Sequence, residues 1–330
     1  MDANGGCLAQ DEVSKRAARV DTEKCRGHNG ALINSSIDAH RIPGTVCYAI
    51  EELLIYVRFV MPELPEVETT RKGIEPHLLG QKVRLVLVRQ DQLRWPISAD
   101  LGQAVTGQLI DAVERRGKYL FLVTAAGRVM IHLGMSGSLR IQSPAAPLKT
   151  HDHVDFVLAN DQILRFHDPR RFGSIFWLPG ESDHSLLRSL GPEPLTSAFS
   201  AAYLFDASRG KSVAVKNLLM NSHIVVGVGN IYANESLYLA GIRPEKPAGK
   251  VSLARYERLV DRVKEVLASA IEAGGTTLRD FVQEDGSPGY FKQSLHVYGR
   301  GGEACLGCAG ILKEVRLGQR TTVFCPRCQR

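Results

Sequence analysis

Four cysteines near the end of the chain carry the plainest chemical signal. Cys305-x2-Cys308 and Cys325-x2-Cys328, sixteen residues apart, have the spacing of two knuckles that each bring a pair of thiolates to one tetrahedral zinc ion. Disulfides or unrelated thiols are the alternative, but Gly307, Gly310, Pro326 and Arg327 suit a ribbon too small to fold without metal. Four thiolates leave zinc no open position, so the expected ion is single and structural. A second signal is Met61-Pro62-Glu63-Leu64-Pro65-Glu66. Methionine is generally removed ahead of proline, and the secondary α-amine left behind attacks an electrophilic carbon and, on losing its one proton, gives an iminium whose nitrogen has no further proton to lose. An α-amine titrates near ~7.7–8.0 and a lysine near ~10.4, so at neutral pH roughly a tenth of the first and well under a thousandth of the second is free base. Glu63 stands beside that nitrogen, where a carboxyl group donates a proton to a leaving group. The same residues also read as a proline-punctuated helix entry with acids in its first turn, and the motif alone does not choose.

Further runs lie in order between these two signals: Arg116-Gly117-Lys118-Tyr119, Leu133-Gly134-Met135-Ser136-Gly137, Asp168-Pro169-Arg170-Arg171-Phe172-Gly173 and Gly227-Val228-Gly229-Asn230-Ile231-Tyr232-Ala233. With them, the chain from Met61 to Arg330 resembles the formamidopyrimidine-DNA glycosylase (8-oxoguanine-DNA glycosylase) family. The resemblance implies a bifunctional glycosylase and lyase of base-excision DNA repair. Pro62 would displace an oxidised purine, a Schiff base would form, and β- and δ-elimination would nick the strand on both sides. Glu63 is implied as general acid, with Glu66 in the same pocket, and Lys118 as the cation that holds a phosphate and assists elimination. Arg320, within Gln319-Arg320-Thr321-Thr322, is implied at a phosphate beside the lesion.

A base inside a duplex must be extruded before chemistry reaches it. Met135, Arg170 and Phe172 match the family's void-filling set, an apolar wedge with a cation for the orphaned cytosine. His151, Lys211, Lys216 and Asn230 are implied as clamps on phosphate oxygens. The implied partner is damaged double-stranded DNA, bound by a monomer that uses no redox or nucleotide cofactor. Two rival functions stand beside this one. The endonuclease VIII type shares the proline chemistry but prefers oxidised pyrimidines; Leu64 with Met135, Arg170 and Phe172 resembles the purine branch. A zinc-ribbon DNA-binding protein without catalysis is the other, because a Pro62 nitrogen acylated by residue 61 is no nucleophile. His151-Asp152-His153 would hint at a metal elsewhere, and Gly227-x-Gly229 lacks the third glycine and the βαβ setting of a dinucleotide site.

These residues need elements to hold them. Val67, Ile74 and Leu78 share a face, which predicts a helix over 67–79 ended by Gly80. Strand patterns follow at 81–89, 108–113, 119–123, 129–133, 154–158, 163–166 and 174–178, with Lys118 opening the third. The period turns helical after Gly191-Pro192-Glu193-Pro194, at 199–205, 213–221, 230–239 and 253–271. A small ribbon is expected at 276–281 and a loop at 283–290. The expected fold is multi-domain α and β: an N-terminal β-sandwich with a leading helix over 62–190, a helix-two-turn-helix domain over 191–290, and a zinc ribbon over 291–330.

Composition sets the bounds. The chain has 330 residues and 44% apolar content, ample for a buried core. Residues 1–61 hold 7 basic and 8 acidic side chains, leaving 34 against 27 from Pro62 onward, so the family-like part carries +7. That suits a polyanionic partner, though many soluble enzymes match it. No run of 18 apolar residues occurs, so no transmembrane helix is expected. Five acids in residues 1–30 disfavour an organellar transit peptide, and seven cysteines fit a reducing compartment. The expected location is the bacterial cytosol or nucleoid, with no membrane partner. A nucleophilic Pro62 requires a free terminus, so residues 1–60 are read as a leader without a defined fold that the mature enzyme lacks.

Overall fold

The computed structural model describes residues 62–274 and 295–330. The leader, the ribbon expected at 276–281 and the loop expected at 283–290 lie outside the described residues. The first helix, α1 (Leu64–Leu78), starts three residues before the expected position because Pro65 sits in its first turn, where a missing N–H costs nothing. Leu64, Val67, Ile74 and Leu78 form its buried face, and Gly80 at φ +73° turns the chain away.

Eight strands follow: β1 (Val83–Val88), β2 (Ala112–Arg116), β3 (Tyr119–Thr124), β4 (Gly127–His132), β5 (Ser138–Gln142), β6 (Asp152–Leu158), β7 (Ile163–His167) and β8 (Ser174–Pro179). They make two antiparallel sheets, ordered β1-β6-β7-β5 and β2-β3-β4-β8. Val83, Phe156, Leu164 and Ile141 of the first sheet meet Val113, Leu122, Val129 and Trp177 of the second in one core, closed by α1 and α2 (Leu101–Val105). The expected β-sandwich with a leading helix is therefore present.

One strand, β5, is not among those expected, and another, β2, lies later than expected. β5 carries only Leu139 and Ile141 as inward apolar residues, too short an alternation to stand out from the Gly-rich run before it. β2 runs on through Arg115 and Arg116, charges that read as the end of a strand until their acids, Glu68 and Glu193, are known.

The second core is helical. It gathers α4 (Ala201–Ser208), α5 (Val215–Leu219), α6 (Asn230–Leu239) and α7 (Leu253–Gly274), with α3 (Ser185–Arg188) ahead of them. α5, the turn through Val225 and Val228, and α6 form the expected helix-two-turn-helix. α6 buries polar as well as apolar residues from Ile231 to Leu237. Each buried polar group must then find a partner inside the protein, and those partners tie the rest of the molecule to α6. The last two strands, β9 (Lys313–Leu317) and β10 (Arg320–Phe324), pair as a hairpin. Gly318 at φ +52° and Gln319 at φ +63° give its two-residue turn the left-handed pair of the type I′ geometry. Among the described residues no helix is long and apolar enough to cross a membrane.

Candidate active site

Pro62 is half-buried and directly precedes α1. Glu63 is 2% exposed, and its carboxylate lies at the start of α6, accepting from Ile231 N at 2.9 Å and Tyr232 N at 3.4 Å. A helix N-terminus offers such unpaired N–H groups to an anion. Gly229 makes the approach possible, since a Cβ there would stand 2.2 Å from Glu63 Cδ. Gly227, at φ +81°, leaves room in the same way for Leu64, whose N–H donates to the Gly227 carbonyl at 3.2 Å. The Gly-x-Gly pair thus seats the residues that follow Pro62. Glu66 joins them, accepting from Glu63 N at 2.8 Å and from the Tyr232 hydroxyl at 2.5 Å.

Burial pushes the Glu63 carboxyl up to about 7; Glu66 adds to the rise, and Lys118 with the two α6 N–H groups opposes it. Burial also raises Glu66, against the Tyr232 hydroxyl and the Glu63 N–H. A carboxyl near 7 beside Pro62 is poised to give or take a proton at neutral pH.

Lys118 occupies the two-residue turn between β2 and β3 rather than the strand itself, after Gly117 at φ +59°. Burial pulls its amine below the usual lysine range, Glu63 and Glu66 oppose that, and Arg320 reinforces it. One acid from the helical part holds this turn. Glu193 accepts from Gly117 N at 2.6 Å, Arg115 Nη1 at 2.8 Å and Arg116 Nη1 at 2.9 Å. The Gly-Pro-Glu-Pro stretch, where the period turns helical, therefore braces the turn that carries Lys118. Nearby His132 is driven down to about 4, by burial first and then by Lys118 and Arg94, and its Nδ1 accepts from Gly134 N at 3.0 Å.

Arg320 begins β10 and is exposed. The strand behind it is stitched to the helix pair. Lys216 Nζ donates to Asn230 Oδ1 at 2.6 Å, Thr321 O at 3.0 Å and Thr322 Oγ1 at 2.6 Å. Asn230 Nδ2 donates to Thr321 O at 3.1 Å, and Asn234 Oδ1 accepts from Val323 N at 3.0 Å. The expectation of Lys216 on a phosphate is corrected here. It is fully buried instead, with three protein acceptors, and burial followed by Arg320 pulls its amine down to about 7. Lys211 is exposed, and Asn230 is half-buried with its amide engaged within the protein.

The sulfurs of Cys305, Cys308, Cys325 and Cys328 lie within 4.8 Å of one another. A tetrahedron of thiolates at about 2.3 Å from zinc needs similar separations, so the residues fit one structural ion. The Tyr238 hydroxyl lies 3.3 Å from Cys305 Sγ, joining α6 to the cluster. Among the described residues no other group of this kind occurs, and the side chains of Asp152 and His153 are engaged elsewhere. Asp152 serves His167 and Arg165, and His153 donates from Nε2 to Asp168 O at 2.8 Å.

The candidate wedge lies on two touching loops. Met135 is half-buried; Phe172 is 42% exposed, with the Arg170 guanidinium 4.9 Å above its ring. His151 lies close by, its ring centroid 5.9 Å from that of His167. Sequence reasoning assigns nothing to Glu193, Tyr232, Ser136 and Asp168. A signal exists for Asp168 and Ser136, which lie inside motifs already singled out, and for Tyr232, three residues from Gly229.

Sandwich, helix-two-turn-helix and four-cysteine ribbon, with a buried acid pair where they meet, define a helix-two-turn-helix protein of the zinc-ribbon class. Residues 61–175 match the formamidopyrimidine-DNA glycosylase N-terminal domain, residues 190–282 the formamidopyrimidine-DNA glycosylase H2TH domain, and residues 302–330 the zinc finger found in FPG and IleRS. The formamidopyrimidine-DNA glycosylase of Pseudomonas aeruginosa (strain LESB58) is 59% identical over 270 residues, 82% of this chain and 100% of that protein. The one from Methylococcus capsulatus is 57% identical over 271 residues, with the same coverage of 82% and 100%. The crystal structure of MutM (Fpg) from Thermus thermophilus is similar at a TM-score of 0.71 and 38% identity, covering 81% of this chain and 98% of that one. A Lactococcus lactis Fpg variant solved with Fapy-dG-containing DNA is similar at a TM-score of 0.74 and 33% identity, covering 82% and 100%. The chain belongs to the formamidopyrimidine-DNA glycosylase family.

Proposed function

We propose that the chain acts in base excision repair as a DNA glycosylase and abasic-site lyase, removing oxidised purines, 8-oxoguanine and formamidopyrimidines, through an imine at Pro62. The nitrogen of Pro62 attacks C1′ of the damaged nucleotide, and the electron pair of the glycosidic bond leaves with the base. Glu63 supplies the proton that opening the sugar or releasing the base requires. The resulting imine acidifies the C2′ proton, and successive β- and δ-elimination break the strand on both sides of the sugar. Lys118 and Arg320 hold the flanking phosphates. His151, Lys211 and Asn230 contact the backbone, while Met135, Arg170 and Phe172 fill the place the base vacates. Lys216 supports Arg320 and Asn230 from inside. Zinc, held by the four cysteines, fixes the ribbon that carries Arg320. The working units are residues 62–190, 191–290 and 291–330, and the protein acts as a monomer in the cytoplasm, free of membrane.

One observation carries the reading: a buried carboxyl near 7 sits directly after Pro62, held by the α6 N–H groups. The names of the relatives support the substrate class, as do the Lactococcus lactis structures with Fapy-dG and abasic-site DNA. A mature start at Pro62 is supported by a family match that begins at residue 61, and by relatives whose whole length is covered by 270 residues of this chain. Borohydride reduction on a duplex with 8-oxoguanine opposite cytosine tests it. The expected product is a covalent adduct whose peptide begins at Pro62, and Pro62→Gly, which leaves only a primary amine, should reduce its formation strongly while duplex binding persists. Active enzyme that retains Met1 and an unbroken peptide bond into Pro62 would overturn the mechanism. Faster release of thymine glycol than of 8-oxoguanine would favour the endonuclease VIII type, a comparison made pertinent by the Lactococcus lactis Fpg solved with oxidised-pyrimidine DNA.

A further inference from the structure

The loops that carry Met135, Arg170 and Phe172 are joined by one carboxylate. Asp168 is 0% exposed. Its Oδ1 accepts from Ser136 Oγ at 2.5 Å, in the loop of Met135, and its Oδ2 accepts from Gly173 N at 2.8 Å, in the loop of Arg170 and Phe172. Ser136 Oγ in turn accepts from Arg170 N at 3.2 Å. A serine hydroxyl has a single proton, and Asp168 takes it, so the lone pairs of Ser136 remain for Arg170. The chain of bonds therefore runs from Asp168 across to the first loop and back to the second.

Asp168 is itself fixed at both ends of its peptide unit. Its N–H donates to His151 O at 3.0 Å, and its carbonyl accepts from His153 Nε2 at 2.8 Å. Glycines leave the loops no slack. A Cβ on Gly134, at φ +66°, would stand 2.4 Å from the Phe172 carbonyl carbon, and one on Gly173 would stand 2.6 Å from Phe166 Cζ. The loops are held to each other as closely as backbone allows.

We infer that Asp168 is the positioning residue of the wedge, setting Met135, Arg170 and Phe172 in one arrangement before DNA arrives. Insertion then requires no ordering of the loops, and Arg170 meets the orphaned base in a fixed register. The inference rests on the assignment of these three residues as the wedge. Asp168→Asn keeps one acceptor oxygen and turns an amide NH2 toward Gly173 N–H, which loses that bond, or toward Ser136, where it donates to Oγ; in either orientation the charged acceptor is gone.

The test measures 8-oxoguanine excision opposite cytosine and opposite adenine for wild type, Asp168→Asn, Ser136→Ala and Arg170→Ala. The ratio of the two rates is the readout, because a smaller folded fraction scales both alike and cancels. Borohydride trapping on a single-stranded abasic oligonucleotide, which has no orphaned base, is measured beside it. Asp168→Asn and Ser136→Ala should each lower the cytosine-to-adenine ratio by about tenfold, the worth of one charge-assisted hydrogen bond, with single-strand trapping within about twofold of wild type. If Arg170→Ala lowers the ratio and neither of the other two does, the wedge stands and Asp168 does not position it. An equal loss on every substrate, trapping included, makes Asp168 merely structural and also overturns the inference. If Arg170→Ala leaves the ratio unchanged, the wedge assignment itself falls. Should Asp168→Asn fail to fold, Ser136→Ala decides, since it removes the bridge and little volume.

Discussion

Glu63 and Asp155 are the same functional group at nearly the same exposure, 2% and 1%, yet their pKa values move in opposite directions. Asp155, on β6, accepts from Arg165 Nε at 2.8 Å, Arg165 Nη2 at 2.9 Å and Arg89 Nη2 at 2.6 Å. Burial raises its carboxyl, but the two guanidiniums outweigh burial and hold it below the usual range. Glu63 has backbone N–H groups and a more distant Lys118 in place of a guanidinium fork, and there burial wins. Low exposure alone does not set a carboxyl's proton affinity. What separates the two is the deeper setting of Glu63 and, at Asp155, full positive charges locked against the carboxylate.

Glu63→Gln should show the largest effect. The amide keeps an oxygen for Ile231 N but has no proton to give, so 8-oxoguanine excision should fall by about 10²–10⁴, while incision of a preformed abasic site survives in part. Single-turnover rates on the two substrates check this, and equal loss on both would erase the contrast with Asp155. Asp155→Asn should do the reverse. It leaves Arg165 buried against half a partner, so stability should fall by about 3–5 kcal/mol with excision per folded molecule unchanged, read by urea unfolding and active-site titration.

The pH dependence sharpens the same contrast. Glu63 has a folded value near 7 against an ordinary 4.5, so its contribution to stability is complete below 4.5 and is lost as pH rises through 7, at a cost of about 3 kcal/mol. Asp155 is depressed below 3.8, so its contribution is present above that value and is lost as pH falls through the lower folded one. Unfolding measured from pH 4 to pH 9 should therefore show a shallower downward slope above ~4.5 in Glu63→Gln, with the part due to Glu66 remaining, and keep the full slope in Asp155→Asn. Excision should fall off above about 7 as Glu63 loses its proton. Arg320→Ala is the smallest change: binding to damaged duplex weakens and the salt slope drops by about 0.9, one phosphate contact.

The chemistry was more legible in the sequence than the means of holding it. Cysteine spacing gave the cluster, and the period gave α6 at its observed bounds, Asn230–Leu239. The roles proposed for Pro62 and Glu63, nucleophile and acid, were suggested by what those groups can do together with the family resemblance, because the motif alone also fits a plain helix entry. Burial of Lys216 could not be read. It depends on Thr321 and Thr322, more than a hundred residues away along the chain, and a lysine carries no local sign that such acceptors will reach it. Glu193 and Asp168 escaped for the same reason: one stands in the stretch where the period turns helical, the other in a motif whose visible members are cations and a phenylalanine.

Three separate family matches suggest three interchangeable parts, and α6 argues against that. Along its ten residues it takes Glu63 from the sandwich at its first N–H groups and Val323 of the ribbon at Asn234. Glu235 then receives the backbone of His296, Val297 and Tyr298, at 2.8, 3.0 and 2.8 Å, and Tyr238 reaches Cys305. A ribbon swapped in from a distant relative would have to reproduce these bonds or leave Asn234 Oδ1 and the Glu235 carboxylate buried without them. The unit of inheritance is therefore the junction rather than the domain: chimaeras that carry α6 together with both of its neighbours' contact residues should fold, and those cut at the seams between family matches should not.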